Sequence, residues 1–199
     1  MNKLNKIKKA LYYQRVGKIG DFALLKADFL GARLSPEIVD KLENVVGYYP
    51  KIDLDELITY PPNSFGREYA EHMKSNNLQT LDISPELDDI AQGNVFALRY
   101  LVTHDIFHVL LGFDTSYAGE IGVLAFAVAQ NYSKSQNLSI WLAKFIYPIL
   151  APKEIPIILS NLKKGKEIGK NAKFLLGYRF EEHWHEPINE VRKNLELLQ

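Results

Sequence analysis

Residues 104–120 read His-Asp-Ile-Phe-His-Val-Leu-Leu-Gly-Phe-Asp-Thr-Ser-Tyr-Ala-Gly-Glu. Four side chains in this run, His104, Asp105, His108 and Glu120, are imidazoles and carboxylates, the donors a chain without thiolates offers a divalent ion. At about 100° per residue, a helix sets His104 and His108 about 40° apart, one turn above the other. Asp105 falls about 60° from His108, on the flank of the same face. The neighbours Leu101, Val102, Ile106, Phe107, Val109, Leu110 and Leu111 are apolar all round, the mark of a buried helix.

Helix height supplies the fourth donor. His108 precedes the stop at Gly112 by about 6 Å of axis, and Glu120 follows Thr115 by about 7.5 Å at the same rise. Two antiparallel helices on so short a turn bring the two side chains level. Ala118, Gly119 and Gly122 are small enough to let the backbones approach. Burying two carboxylates among apolar side chains costs several kcal/mol each unless a cation compensates. The nearest cation in sequence, Arg99, sits roughly 140° round the helix from His104. A divalent ion satisfies all four groups at once. Two imidazoles with carboxylates suit Zn2+ best; Fe2+ in a two-His-one-carboxylate site, or another divalent ion, stays open.

The pattern has other readings. His104-Asp105-x-x-His108 is one methylene short of the His-Glu-x-x-His helix of zinc hydrolases, where the longer Glu serves as general base. Phosphohydrolases of the His-Asp type need a further upstream His, and the only one here is His72. A closed four-ligand site is more often structural than catalytic, which keeps a non-catalytic, metal-stabilised scaffold in view.

Helix signals dominate the rest of the chain. Ser35-Pro36-Glu37 predicts a helix to about Val46, and Ser64 one to about Asn76. Ser84-Pro85-Glu86 repeats the start signal. A long helix is expected from about Gln92 to Leu111, then one capped by Asp114 or Thr115. Further helices fit Leu138 to Tyr147, Pro156 to Lys164 and Phe180 to Leu197. Alternating strand patterns and hairpin turns are lacking. The expectation is one all-α domain over residues 1–199, a compact multi-helix fold with a buried helical hairpin carrying the metal site. Residues 1–20 read as a basic amphipathic helix, with Leu4, Ile7 and Leu11 among six basic residues before Asp21. Such a helix either lies on an anionic membrane or docks by its apolar stripe.

Composition narrows the classes. The chain has 199 residues, with 24 basic and 24 acidic side chains and no cysteine. Zero net charge argues against a general nucleic-acid binder. The absence of cysteine excludes a disulfide scaffold and fits a reducing, cytoplasmic location. No apolar run is long enough to span a bilayer, there is no secretion signal, and the case for mitochondrial import is weak: one Arg and no Ser in the leading segment.

The His-Asp-x-x-His pair followed after eleven residues by Glu resembles the signature of the ubiquinone (coenzyme Q) biosynthesis protein 4 family. Pro61 to Ala70, with Gly66, Arg67 and Tyr69, is similar to another family segment, as are Arg99-Tyr100 and the run with Trp184, Pro187, Arg192 and Leu195. The likeness spans the chain from about residue 30 onward. It implies an all-α fold, a zinc-type site with His104, Asp105, His108 and Glu120 as ligands, and a role in making a prenylated quinone. The implied chemistry is removal of the C1 carboxylate from a prenylated aromatic ring, coupled to hydroxylation there, with the isoprenoid tail lying between helices. Peripheral membrane contact and assembly with other quinone-pathway proteins are implied as well, and a homodimer stays open. Tyr and Phe residues with Gly93, Ala97, Gly119, Gly122 and Ala125 are suited to line a slot for such a tail, and equally to a core.

Arg67, His72 and Arg99 are the candidate substrate contacts, suited to an acidic head group. Glu181-Glu182-His183-Trp184-His185-Glu186 looks like a second metal cluster, but His183 and His185 point about 200° apart on a helix. A solvated face with Trp184 in the core fits better. Lys163, Lys164, Lys166, Lys170 and Lys173 form a basic stretch, either a solvated face or a membrane contact.

Overall fold

One helix with apolar residues on every side forms the middle of the protein. The computed structural model describes residues 3–32 and 34–198. Its α-helices in chain order are α1 (Lys3–Arg15), α2 (Ile19–Phe29), α3 (Leu54–Leu57), α4 (Phe65–Ser75), α5 (Asp88–Gly93), α6 (Val95–Leu111), α7 (Tyr117–Ala129), α8 (Lys134–Leu150), α9 (Ile155–Asn171) and α10 (Ile188–Asn194). Among the described residues there is no strand, only an isolated antiparallel bridge between Ser64 and Pro187. The all-α expectation holds.

Helix α6 is the central element and packs against α2, α4, α5 and α7. Phe96, Leu98, Ile106, Phe107 and Leu110 are buried around its circumference. Its start lies at Asn94, two residues beyond the expected Gln92. The Asn94 side-chain oxygen accepts from the Ala97 amide at 3.2 Å, and its amide nitrogen donates to Asp28 Oδ1 at 3.2 Å and to the Ala32 carbonyl at 2.9 Å. One side chain therefore caps α6 and ties it to the end of α2. The helix stops where expected, at Gly112, whose φ of 68° is left-handed. Arg192 Nε and Nη2 donate to the carbonyls of Leu110 and Val109 at 3.0 and 2.9 Å, occupying acceptors the last turn leaves free.

The hairpin partner α7 is capped by Ser116, whose Oγ accepts from the Gly119 amide at 3.2 Å. Of the two expected caps, Asp114 instead accepts from the Ser116 amide at 3.1 Å, and the Thr115 hydroxyl donates to Asn76 Oδ1 at 3.0 Å. Helix α9 lies along α7 at close range: a Cβ on Gly165 would fall 2.1 Å from the Gly122 carbonyl oxygen.

Four expectations are corrected. Residues Pro36–Val45 form a 3₁₀ segment rather than an α-helix; Ser35 Oγ makes no cap bond and is buried without a partner. The expected helix from Phe180 to Leu197 shrinks to a 3₁₀ turn, Phe180–Glu182, and α10. The carbonyls of Trp184 and Glu186 are committed to the amides of Gly66 and Phe65, at 2.9 and 2.8 Å, so this stretch cannot coil upon itself. The expected helix over 1–20 ends at Arg15, because Gly17 turns left-handed with φ of 77°; residues 1 and 2 lie outside the described residues. Finally, of the two alternatives for the first helix, docking by the apolar stripe is corrected: Leu4, Ile7 and Leu11 face solvent, and α1 instead buries Tyr13 against α2.

Candidate metal centre

The α6–α7 hairpin places three of the four expected donors in one cluster. His104 Nε2 lies 3.3 Å from Glu120 Oε2 and 3.3 Å from His108 Nε2, and His108 Nε2 lies 3.4 Å from Glu120 Oε1. Atoms about 2.0–2.1 Å from a shared tetrahedral zinc ion stand about 3.3–3.4 Å from one another. The two imidazole nitrogens have that spacing, Glu120 turns one oxygen to each of them, and with one atom from each residue the three donors lie within 4.8 Å of one another, a set able to close on an ion. The His108 side chain is fully enclosed, while His104 is 29% and Glu120 35% exposed, so the cluster opens on one side.

His108 is oriented by its other nitrogen. Nδ1 lies 3.2 Å from the Phe113 carbonyl oxygen. A carbonyl only accepts, so the proton belongs to Nδ1 in that bond. This backing is typical of an imidazole that ligates through Nε2. His104 has no equivalent, and its Nδ1 is buried without a partner.

The electrostatics are those of a carboxylate held between imidazoles. Burial alone would raise the Glu120 carboxyl, but hydrogen bonds from His104 and His108 and their charge outweigh it and hold its pKa at about 2. Burial likewise lowers His108, and the bond and charge of Glu120, with the Phe113 carbonyl and Asp105, reverse this and leave it raised.

Asp105 stands outside the cluster. It lines a groove with Gly17 to Asp21 and Asn77 to Asp82, and its charge is felt by His72 and Tyr69 on α4. A protease-like general base at Asp105 finds no support in that placement. Of the candidate substrate contacts, His72 comes near: its ring stacks on His108 at 6.0 Å, and its Nε2 is buried without a partner. Arg67 is engaged elsewhere, with Glu71 at 2.8 Å and the Tyr60 carbonyl at 3.3 Å. Arg99 is fully buried away from the cluster. It pairs with Glu181 at 2.9 Å and donates to the carbonyls of Tyr48 and Tyr178, both at 3.0 Å. Its role here is to fasten α6 to the C-terminal segment.

The 181–186 run does not gather an ion. His183 bonds Glu186 and stacks on Tyr178, His185 stacks on Tyr60, and Trp184 enters the core. Sequence reasoning missed Tyr100, whose ring lies 5.7 Å from that of His104. Its spacing of four residues before His104 on an established helix was the available signal.

A model of one protein family, described as "Coenzyme Q (ubiquinone) biosynthesis protein Coq4", matches residues 48–199. The chain belongs to the Coq4 family. A mitochondrial ubiquinone biosynthesis protein COQ4 homolog from Nematostella vectensis is 34% identical over 157 residues, covering 73% of this chain and 71% of that one. A second mitochondrial COQ4 homolog, from Paramecium tetraurelia, is 31% identical over 147 residues, covering 73% and 68%. The human COQ4 homolog is 30% identical, and there the match spans 54% of the relative's length. A crystal structure described as a "Putative ubiquinone biosynthesis protein" from Nostoc punctiforme superposes with a TM-score of 0.70 at 23% identity, over 99% of this chain and 97% of that one. At that identity the likeness speaks for the fold. No described helix of this Coq4 member is long and apolar enough to cross a membrane.

Proposed function

We propose that this Coq4-family chain acts in the synthesis of a ubiquinone-like prenylated quinone, and that His104, His108 and Glu120 hold a divalent ion, Zn2+ by preference, at the reacting carbon of a prenylated aromatic acid. The observation that carries this is the three-donor cluster with one open side. Three protein ligands and a free position are the pattern of catalytic rather than structural zinc. The reaction proposed replaces the C1 carboxylate by hydroxyl: carbon dioxide leaves, one oxygen atom is taken up, and an oxidant is consumed in a two-electron step.

A bound ion supplies Lewis acidity toward a carboxylate or phenolate oxygen of the ring. The chain's own residues do the rest. The Phe113 carbonyl holds the Nδ1 proton of His108 and so keeps Nε2 turned to the cluster. Glu120 stays ionised between the two imidazoles. Tyr100, stacked on Phe96 and set against His104, supplies an aromatic wall where a ring would lie. The cleft beside it, between α2, α6 and the start of α8, is lined by Tyr100 and is largely apolar, and it suits the outer edge of the ring together with the tail.

Peripheral membrane contact is part of the proposal. Helix α8 and the start of α9 present Leu138, Trp141, Phe145, Ile149 and Ile157 to solvent, Ile149 at 77% exposure, with Lys144, Lys153 and Lys163 exposed beside them. Apolar side chains among lysines are what an anionic lipid surface takes up.

The deciding experiment joins elemental analysis to turnover. The purified protein is expected to carry about one divalent ion and to release carbon dioxide from a prenylated aromatic acid in the presence of an oxidant. Full metal content without turnover under any oxidant favours the scaffold role, and absence of stoichiometric metal overturns the centre itself.

A further inference from the structure

The cleft of about 420 Å3 between α2, α6 and α8 is walled by Phe22, Leu30, Phe96 and Leu101, and one polar side chain is sealed into its lining. Gln136, in the first turn of α8, is 5% exposed. Its Oε1 and Nε2 are both buried, and neither has a hydrogen-bond partner. The amide lies beside the Tyr100 hydroxyl, a single contact that leaves the two ends of the amide short of partners. The neighbouring hydroxyls are already engaged: Ser135 with Ser133 at 2.9 Å, and Ser139 with the Ser135 carbonyl at 3.3 Å. A buried donor and acceptor left open cost about 1–3 kcal/mol each. An occupant of the cleft is positioned to supply both.

The cleft shares one wall residue, Tyr100, with the surroundings of the proposed ion site. Helix α8 packs on α7 and α9 and stands off from α6. The side chain between the amide and the cluster is Tyr100, whose ring is 5.7 Å from that of His104.

An amide presents one acceptor and a two-proton donor. A neutral hydroxyl answers both, because its O–H donates to Oε1 while its oxygen accepts from Nε2. An ether oxygen answers Nε2 alone. A carboxylate answers Nε2 and repels Oε1. We infer that Gln136 is a specificity-determining residue, which selects ring ligands carrying a free hydroxyl over their methyl ethers in the α2–α6–α8 cleft. The inference rests on the reading that this cleft takes an aromatic ring with an apolar tail.

The test is equilibrium binding of 4-octylphenol and its matched ether, 4-octylanisole, to the full chain, in the metal-replete and the chelator-treated protein. Gln136→Leu and Gln136→Met are compared with wild type, after thermal melts confirm that each folds. Wild type is expected to bind the phenol about tenfold more tightly, the worth of one neutral hydrogen bond. Both variants are expected to erase that preference, the phenol losing about tenfold more affinity than the ether. Equal affinities in wild type overturn the role of Gln136 and indicate that ordered water fills the amide's needs. A preference that survives in both variants, or that vanishes on chelation, overturns it too, the second by giving selection to the ion. If neither amphiphile binds, the tail-and-ring reading of the cleft falls with it.

Discussion

The Nε2 atoms of His104 and His108 stand 3.3 Å apart and both face the Glu120 carboxylate, one ring edge-on to the other at 80°. With the His108 proton on Nδ1, its Nε2 presents a lone pair, and His104 Nε2 either donates to it or sets a second lone pair against it. In the second arrangement a cation answers both lone pairs and the carboxylate.

The three proposed ligands are unequal, which orders the variants. His108 is enclosed and oriented from behind by Phe113, whereas His104 is partly exposed and its Nδ1 has no partner. His108→Ala is expected to cut zinc affinity more than 100-fold, beyond the 10–100-fold that supporting residues command. Glu120→Gln should lose at least tenfold, and His104→Ala less than His108→Ala. Asp105→Asn should stay within about threefold. Competition with a chromophoric chelator reads all four, and a loss in Asp105→Asn equal to that in His108→Ala would restore Asp105 as a ligand.

Removing the ion is expected to soften the hairpin. A ligand at 100 times its dissociation constant stabilises the folded state by about 2.7 kcal/mol. For a chain of this size that corresponds to roughly 5–10 °C in Tm. Chelation should lower the melting temperature of wild type by that amount and leave His108→Ala unmoved. Equal shifts in both proteins would trace the effect to some other site.

What the sequence disclosed, and what it withheld, follows from the range of the interactions. His104, His108 and Glu120 were legible because helical rise and a short turn set their heights before any tertiary contact forms. Gly112 and Ser64 announced their helix ends by local chemistry. Arg99 was misjudged as a substrate contact because its partners, Glu181 and the Tyr178 carbonyl, lie about eighty residues downstream. Residues 180–187 read as helix for the same reason: the amides of Phe65 and Gly66 that claim their carbonyls come from α4. Asp105 shares a helix face with His108 by angle, yet α4 and the 77–82 segment, not α7, stand opposite it.

The Arg99–Glu181 pair makes a separable prediction. Both side chains are buried, at 0% and 5% exposure. Removing one partner strands the other, at a cost of about 3–5 kcal/mol. Arg99→Met and Glu181→Leu should each lose that much in chemical denaturation, whereas the double variant should recover most of it and retain wild-type zinc affinity. A double variant that folds but binds no zinc would assign Arg99 to the centre after all.

Close packing of α7 on α9 holds Glu120 at its height. A methyl group on Gly165 would meet the Gly122 carbonyl oxygen at 2.1 Å, and backbone cannot step aside as a side chain can. Gly165→Ala is expected to cost about 1–3 kcal/mol and to weaken metal binding, since Gly122 lies two residues from Glu120. Gly93→Ala, with open space around it, is the control and should be neutral in both measurements.

Membrane contact through α8 has a built-in reporter. Of the two tryptophans in the chain, Trp184 is buried and Trp141 is 56% exposed on the apolar face of α8. Docking on vesicles should therefore shift the emission of Trp141 to the blue and leave that of Trp184 in place. Because Lys144 and Lys153 flank the face, phosphatidylglycerol vesicles should bind more tightly than phosphatidylcholine, and added salt should narrow the difference. Phe145→Glu and Ile149→Glu each put a charge where hydrocarbon is expected, and each should weaken vesicle binding at least tenfold without lowering thermal stability, since both side chains are exposed. Co-sedimentation measures the loss directly. Undiminished binding in both variants would move the contact away from α8, with the exposed Leu4, Ile7 and Leu11 of α1 as the next surface to alter.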